Sequence, residues 1–190
     1  MTTTISENRG LVLSTQRFGR KAGALLTLAM ALWLVFAAEP ATAACSSPVG
    51  AFCVDYFQGK AVGGAVLFSA IETGVNHNWG WGSPDPAVPV DGYSGRWQGQ
   101  FDFDGNPVIF RVKADDGVRL KVDGVVLIDG WKDQGATEYK ATAAPAAGRH
   151  LVEVEYYEGA GQAVLEAGWT PAPNCDLPAG QFCASYYNNT

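Results

Sequence analysis

Apolar residues recur at every second position over much of this chain, and that period restricts it to β-strands. The clearest runs are 108–114, 118–122 and 152–156, in which apolar and polar residues alternate. Side chains two positions apart lie on the same face of a strand, so one face of each run is expected to enter a core. No segment after residue 44 keeps a helical period. We therefore predict an all-β chain of antiparallel strands.

Turn residues divide these runs in a way that favours hairpins. Asp123-Gly124 separates two apolar runs, and this dipeptide suits a two-residue turn in which both positions take positive φ. The chain contains 23 Gly and 10 Pro, as expected for many short strands with long loops. The sequence predicts an antiparallel, lectin-like β-sandwich or a partly closed β-barrel. Further strands are predicted around 52–57, 65–68, 101–103, 136–142 and 163–169.

Residues 1–44 have the pattern of a secretory signal peptide. Basic residues precede the apolar run 22–38, and small residues follow as far as Ala43 and Ala44, after either of which cleavage is expected. The protein is therefore predicted to be secreted or exposed at the cell surface. An uncleaved signal would make this run a membrane anchor, and only then is contact with a membrane expected. Lipidation of Cys45 is a third possibility.

The four cysteines lie in two copies of one short motif. Cys, Pro, Gly, Phe, Cys and Tyr recur at a constant offset between 45–57 and 175–187, which indicates an internal repeat. We predict a complete domain over 45–173 and the start of a second, truncated copy over 174–190. Further repeats of the same chain are expected partners if the sequence is a fragment. Four cysteines allow three pairings, and the short Cys-x7-Cys loops favour the pairs Cys45–Cys53 and Cys175–Cys183.

Charge and composition exclude several kinds of partner and site. Thirteen basic and nineteen acidic residues give a net charge of −6, whereas nucleic-acid binders present concentrated positive charge, so no nucleic-acid partner is expected. With two His and four Cys, the sequence offers few nitrogen and sulfur ligands for a metal site. Neither His77 nor His150 accompanies a nucleophile motif, so no enzymatic activity is predicted.

Five strings occur in this order along the chain: Trp79-Gly80-Trp81-Gly82-Ser83-Pro84-Asp85-Pro86, Tyr93-Ser94-Gly95-Arg96-Trp97, Ala114-Asp115-Asp116-Gly117-Val118-Arg119-Leu120, Ile128-Asp129-Gly130-Trp131-Lys132-Asp133-Gln134 and Val154-Glu155-Tyr156-Tyr157-Glu158. Together they resemble the protective-antigen 14-kDa domain over residues 45–171, in a secreted, tandem-repeat form. The resemblance implies a β-sandwich or barrel module of the kind appended to bacterial glycosidases, toxins, adhesins and fungal flocculins, which often binds carbohydrate and does not catalyse.

The pair Asp115-Asp116 is the predicted calcium site. In sugar-binding members of the family such a pair forms a cis peptide and both carboxylates bind Ca²⁺, which in turn binds sugar hydroxyls. Because Ca²⁺ takes roughly six to eight oxygen ligands, Glu158 and Gln162, in the loop expected after Tyr157, are predicted as further ligands. The alternative is a structural turn in which both carboxylates cap backbone N–H groups.

Three tryptophans join Asp115 and Asp116 as predicted carbohydrate-binding residues. Trp79, Trp81 and Trp131 are expected in loops rich in Gly or Pro, where an indole can stack on a sugar ring, although core packing is the alternative for each. The sequence thus predicts a secreted, calcium-dependent carbohydrate-binding or adhesion module with a glycan as partner. A structural spacer repeat of a longer protein, and an accessory domain of a glycoside hydrolase, remain as alternatives.

Overall fold

A computed structural model describes residues 45–173 of the chain. The predicted signal peptide (1–44) and the predicted second copy (174–190), with Cys175 and Cys183, lie outside the described residues. The part of the chain that is described contains no helix with the length and apolar character needed to span a membrane.

The described chain folds into ten β-strands. They are β1 (Phe52–Gln58), β2 (Val66–Glu72), β3 (Val75–Gly80), β4 (Tyr93–Asp104), β5 (Val108–Asp115), β6 (Gly117–Val122), β7 (Val125–Gly130), β8 (Thr137–Ala143), β9 (Ala147–Glu158) and β10 (Ala163–Pro171).

The strands form two antiparallel sheets that enclose one core. The six-stranded sheet has the order β2-β1-β4-β9-β6-β7, and the four-stranded sheet has the order β3-β10-β5-β8. All strand pairs in both sheets are antiparallel. The predicted all-β antiparallel fold is confirmed. Two forms were predicted, a sandwich and a partly closed barrel, and the structure is a sandwich.

Alternating residues from both sheets fill the core. Trp97 and Tyr156 are fully buried on the inner face of the six-stranded sheet, and Phe110, Val112 and Leu165 are buried opposite them on the four-stranded sheet. Large aromatic side chains bury much apolar area each, so a small number of them can fill the space between two sheets. The period of two in the sequence is therefore the inside-outside pattern of the sandwich.

The predicted hairpin forms between β6 and β7. Asp123 has φ 49° and Gly124 has φ 79°, the left-handed values that this type of turn requires at both positions. Asp123 also binds the neighbouring strand β9, because its carboxylate accepts a hydrogen bond from the backbone N–H of Leu151 (2.9 Å) and contacts His150 Nδ1 (2.5 Å). The turn is thus fixed both by its own backbone and by β9.

The connection from β5 to β6 passes from one sheet to the other. Asp115 is the last residue of β5, in the four-stranded sheet, and Gly117 is the first residue of β6, in the six-stranded sheet, so Asp116 alone links them. A side chain at position 117 would overlap the ring of Tyr157 on β9. The crossing therefore needs glycine at that point, and it leaves the two aspartates at one end of the sandwich.

Cys45 and Cys53 form a disulfide with a Cα–Cα distance of 5.9 Å. The bond fastens the first described residue to β1. The structure thus joins the first of the two cysteine pairs that the sequence favours.

Candidate metal centre

Three carboxylates meet at the end of the sandwich where β5 passes to β6. Asp115 ends β5, Asp116 forms the link, and Glu158 is the last residue of β9. Glu158 reaches them because β9 pairs with β6 in a register that places Tyr157 opposite Gly117. One oxygen of each carboxylate lies within 4.8 Å of the other two.

The backbone and the surrounding loops hold the aspartate pair in place. The Asp115–Asp116 peptide bond is cis. The carboxylate of Asp116 accepts hydrogen bonds from the backbone N–H groups of Gln134 (2.9 Å) and Gly159 (2.8 Å). The phenolic O–H of Tyr156 donates to the carbonyl oxygen of Asp115. Asp116 thus accepts N–H groups from two other loops rather than from its own turn.

Gln134 connects the loop before β8 to this cluster. Its side-chain amide donates to the carbonyl oxygen of Asp116 (3.1 Å), and its own oxygen accepts a hydrogen bond from the Tyr139 hydroxyl (2.5 Å). Tyr139 and Tyr156 were not among the predicted site residues, because no motif reveals a contact that depends on the pairing of distant strands.

Glu158 is the buried member of the cluster. It is 0% exposed, Oε2 lies 3.2 Å from the Tyr156 hydroxyl, and Oε1 has no hydrogen-bond partner in the described part of the chain. Burial, and then the neighbouring charge of Asp116, raise the pKa of Glu158 to about 7. Burial and the same neighbour also raise the pKa of Asp115. Both shifts have burial as their first cause and the negative charge of Asp116 as their second.

Within residues 45–173, the three carboxylates lack an ion-pair partner. None of them forms an ion pair with Lys, Arg or His, and the nearby Lys60 binds Asp133 instead (2.5 Å). Ca²⁺ lies about 2.3–2.6 Å from its oxygen ligands, so two oxygens on one ion are separated by at most about 5 Å. The spacing of the cluster satisfies that limit, and Asp115, Asp116 and Glu158 therefore fit a shared calcium ion.

Gln162 is the remaining predicted ligand, and its position differs from that of the other three. It is exposed in the short connection between β9 and β10, and it makes no described hydrogen bond with the aspartates. Glu158 itself lies at the end of a strand, not in the loop that the sequence predicted. The register of β9 with β6 places Glu158 in the cluster, whereas Gln162 lies beyond the part of β9 that pairs.

The three predicted tryptophans have different surroundings. Trp79 lies in β3, not in a loop as predicted, where it stacks on His77 at 4.6 Å and packs against the core. Trp131 is half-buried directly after β7, with the ring of Tyr157 at 4.8 Å and the guanidinium of Arg119 at 4.6 Å. Trp81, in the loop after β3, is 74% exposed. Of these three indoles, Trp81 has the most surface free for a ligand.

Trp81 lies at the same end of the sandwich as the carboxylates. Gly80 pairs with Ala163 on β10, and the next β10 residue, Val164, pairs with Asp115. The loop after β3 is also tied to the connection between β9 and β10, because Gly161 N–H donates to Asp91 (3.0 Å). The exposed indole and the carboxylate cluster therefore belong to one group of loops.

A separate depression of about 490 Å³ lies on the exposed face of the four-stranded sheet. Its polar residues pair with one another across strands, as Arg111 does with Glu138 (3.5 Å) and Lys113 with Glu166 (3.3 Å). None of the three clustered carboxylates lines it. We assign the candidate site to the carboxylates, where charge is uncompensated, rather than to this depression, where it is paired.

Gly159 gives a test of how closely the loop packs on Asp116. An added Cβ would lie 2.9 Å from the Asp116 carboxylate and 2.9 Å from Lys60 Nζ. We expect Gly159→Ala to lower the free energy of unfolding by about 1–2 kcal/mol, because the neighbours must move apart. Gly168→Ala is the matched control, since its Cβ would meet nothing within 4 Å. Urea unfolding of both variants measures the difference, and equal stabilities would contradict the close packing.

The domain is similar to several known proteins. Residues 51–174 match the family model of the PA14 domain. Anti-sigma-I factor RsgI3 of Acetivibrio thermocellus is 38% identical over 105 residues, which are 54% of this chain and 16% of that protein. A solved anti-sigma factor domain-containing protein is 34% identical, with a TM-score of 0.59 over 63% of this chain and 42% of that chain. Another, from Clostridium clariflavum, is 25% identical, with a TM-score of 0.58 over 64% of this chain and 42% of that chain.

This chain thus spans 16% of the length of the named anti-sigma-I factor and 42% of each of those two solved chains. The similarity therefore covers this domain only and does not extend to the activity of the longer proteins. The family match contains all ten strands and the three clustered carboxylates, and it is the family that the sequence strings resemble. The chain therefore belongs to the PA14 domain family.

Proposed function

We propose that residues 45–173 form a secreted, non-catalytic module that binds carbohydrate through a calcium ion held by Asp115, Asp116 and Glu158. The observation that supports it is a cluster of three carboxylates within 4.8 Å of one another, with no cationic partner among the described residues. Glu158 strengthens the case, because a fully buried carboxylate with an unpartnered oxygen is costly unless a cation binds it.

The cluster also leaves room for a ligand on the ion. Three carboxylates do not complete the roughly six to eight oxygen ligands of Ca²⁺, and the remaining positions suit water, carbonyl oxygens or neighbouring hydroxyls of a sugar. Asp115 is the partly exposed member, so one side of the ion would face solvent. The exposed indole of Trp81, at the same end of the sandwich, is suited to stack on the apolar face of a sugar ring.

A calcium titration followed by glycan binding tests this function in two steps. The exported protein should unfold at a higher temperature in millimolar Ca²⁺ than in chelator, because an ion that binds only the folded state stabilises it. A glycan array probed in Ca²⁺ and in chelator then tests sugar recognition. An unchanged unfolding temperature would contradict the metal site, whereas a calcium shift without calcium-dependent glycan binding would contradict only the ligand.

Trp81 tests the aromatic part of the proposed sugar site. We expect Trp81→Ala to weaken binding of an array-identified glycan about tenfold, which corresponds to about 1.4 kcal/mol of lost stacking. The unfolding temperature should not change, since the side chain is 74% exposed. Val125→Ala is the control, because Val125 is 63% exposed at the start of β7, where it pairs with the end of β6 that lies away from the carboxylates. Isothermal titration calorimetry decides, and equal glycan affinity in both variants would remove Trp81 from the site.

A further inference from the structure

Asp55 on β1 is a buried carboxylate outside the metal centre. Val54 and Tyr56 point into the core, so Asp55 lies on the other face of the six-stranded sheet, yet it is only 2% exposed. One oxygen, Oδ1, accepts a hydrogen bond from the Ser69 hydroxyl (2.5 Å) and another from the backbone nitrogen of Cys45 (3.3 Å).

Asp55 has no cationic side chain as a partner. Within residues 45–173, no Lys, Arg or His nitrogen lies within 4.0 Å of it. Arg96 faces it from β4 in register, but the Arg96 guanidinium lies over the ring of Phe57, 5.6 Å from its centroid. A buried carboxylate is normally paired with a positive charge, and Arg96, whose Nε is buried without a hydrogen-bond partner among the described residues, lies beyond ion-pair distance. A second positive charge beside Oδ1 would therefore stabilise Asp55.

The nitrogen of Cys45 can supply that charge if the chain begins there. The small residues up to Ala44 are where the sequence predicts removal of the signal peptide. Hydrolysis by a host signal peptidase adds water across the Ala44–Cys45 peptide bond. The C–N bond breaks, Ala44 keeps a new carboxylate, and Cys45 keeps an amine that takes up a proton at neutral pH. The nitrogen beside Asp55 thereby becomes an ammonium group.

We propose that Cys45 is the first residue of the exported protein and that Asp55 binds its α-ammonium group. Cleavage after Ala43, or retention of the signal, leaves a neutral amide at this nitrogen. The disulfide to Cys53 holds Cys45 against β1 and occupies its sulfur, so the same residue is not available for a thioether lipid anchor. The proposal is independent of the calcium and carbohydrate site.

The first test identifies the start of the exported chain. The full chain is expressed with its own N-terminal segment in a bacterial host, and the exported product is examined without reduction by intact mass and N-terminal sequencing. We expect a single product that begins at Cys45. A product that begins at Ala44, begins at any other residue, or keeps the signal would overturn the proposal.

The second test measures the ion pair directly. The amines of the folded exported protein are reductively methylated with ¹³C-formaldehyde and cyanoborohydride as the hydride donor, and NMR follows the α-amine signal through a pH titration. Pairing with Asp55 should raise the pKa of this amine above its ordinary range of about 7.7–8.0, although Arg96 opposes the rise. Asp55→Asn should return the pKa to that range, whereas Asp102→Asn, which changes an exposed carboxylate at the far end of β4, should leave it raised.

The wild-type value decides the outcome even if Asp55→Asn is not exported in a folded form. Ser69→Ala then serves as the second variant, because it removes the competing hydroxyl and keeps the carboxylate. The α-amine pKa should stay raised in that variant. An α-amine that titrates in its ordinary range in the wild-type protein would disprove the pairing.

Discussion

Replacing Asp115 by asparagine is expected to weaken calcium binding by at least about a hundredfold without weakening the fold. The Asp115 carboxylate accepts a backbone hydrogen bond from Ala136, which the side-chain oxygen of asparagine can retain, and its neighbour Asp116 raises its pKa after burial does. Removal of its charge therefore relieves repulsion in the metal-free protein. The same change takes an oxygen and a charge from a site that needs both.

The expected signature of Asp115→Asn has two parts. In chelator, the unfolding temperature should equal or exceed that of the wild type. At a calcium concentration a hundred times the wild-type Kd, the wild type should gain about 2.7 kcal/mol, and the variant should gain little. Asp116→Asn is less informative, because the Asp116 carboxylate accepts two backbone N–H groups and its loss damages the fold as well.

The matched control for Asp115→Asn is Asp102→Asn. Asp102 is paired with Arg149 near the far end of β4 and has a 62% exposed side chain, so the same change of charge occurs away from the cluster. Its calcium response should equal that of the wild type. Differential scanning calorimetry in chelator and in Ca²⁺ measures all three proteins. A full calcium gain in Asp115→Asn would show that the ion binds elsewhere.

The strands that could be predicted are those whose pattern is local. The alternation over 108–114 and 152–156 follows from burial of one face, and these runs form β5 and β9. The strand β3 could not be predicted in this way, because its sequence from Val75 to Gly80 is mostly polar and it forms by pairing with β10. Trp79 was assigned to a loop for the same reason.

The first half of β4 was hidden by its glycines. Gly95 and Gly99 suggest turns in a sequence, but in the structure each occupies a paired strand position where a Cβ would clash. At Gly95 the obstacle is the ring of Trp97, and at Gly99 it is the backbone of Ala51. These glycines allow close packing within a sheet, which depends on neighbours that are distant in sequence. The predicted range for this strand was therefore only 101–103.

The candidate metal centre shows the same division between local and distant information. Asp115-Asp116 is a local string, and its place at the end of a strand follows from the alternation before and after it. That β5 and β6 belong to different sheets depends on long-range pairing, as does the approach of Glu158 through the register of β9 with β6. The aspartate pair can thus be identified from the sequence, whereas the approach of Glu158 to that pair depends on the fold.

Replacing Glu158 by glutamine is expected to change the pH dependence of stability in the metal-free protein. Burial and Asp116 raise the pKa of Glu158 to about 7 in the folded state, from an ordinary value of 4.5 for the exposed group. Between these values the folded state binds more protons than the unfolded state, so wild-type stability falls as pH rises. The loss is nearly absent below pH 4.5 and approaches about 3 kcal/mol above pH 7.

Glu158→Gln has no carboxylate to ionise, so it should be the more stable protein at pH 8 in chelator and nearly equal to the wild type at pH 5. Saturating Ca²⁺ at pH 8 should reverse the order, since the ion favours the ionised carboxylate that the variant lacks. Glu138→Gln is the control, because neighbouring Lys140 lowers the pKa of that exposed carboxyl, and no reversal is expected there. Urea unfolding at both pH values, in chelator and in Ca²⁺, gives the comparison. Parallel pH profiles of the wild type and Glu158→Gln in chelator would mean that Glu158 bears no uncompensated charge, and the calcium site would lose its main support.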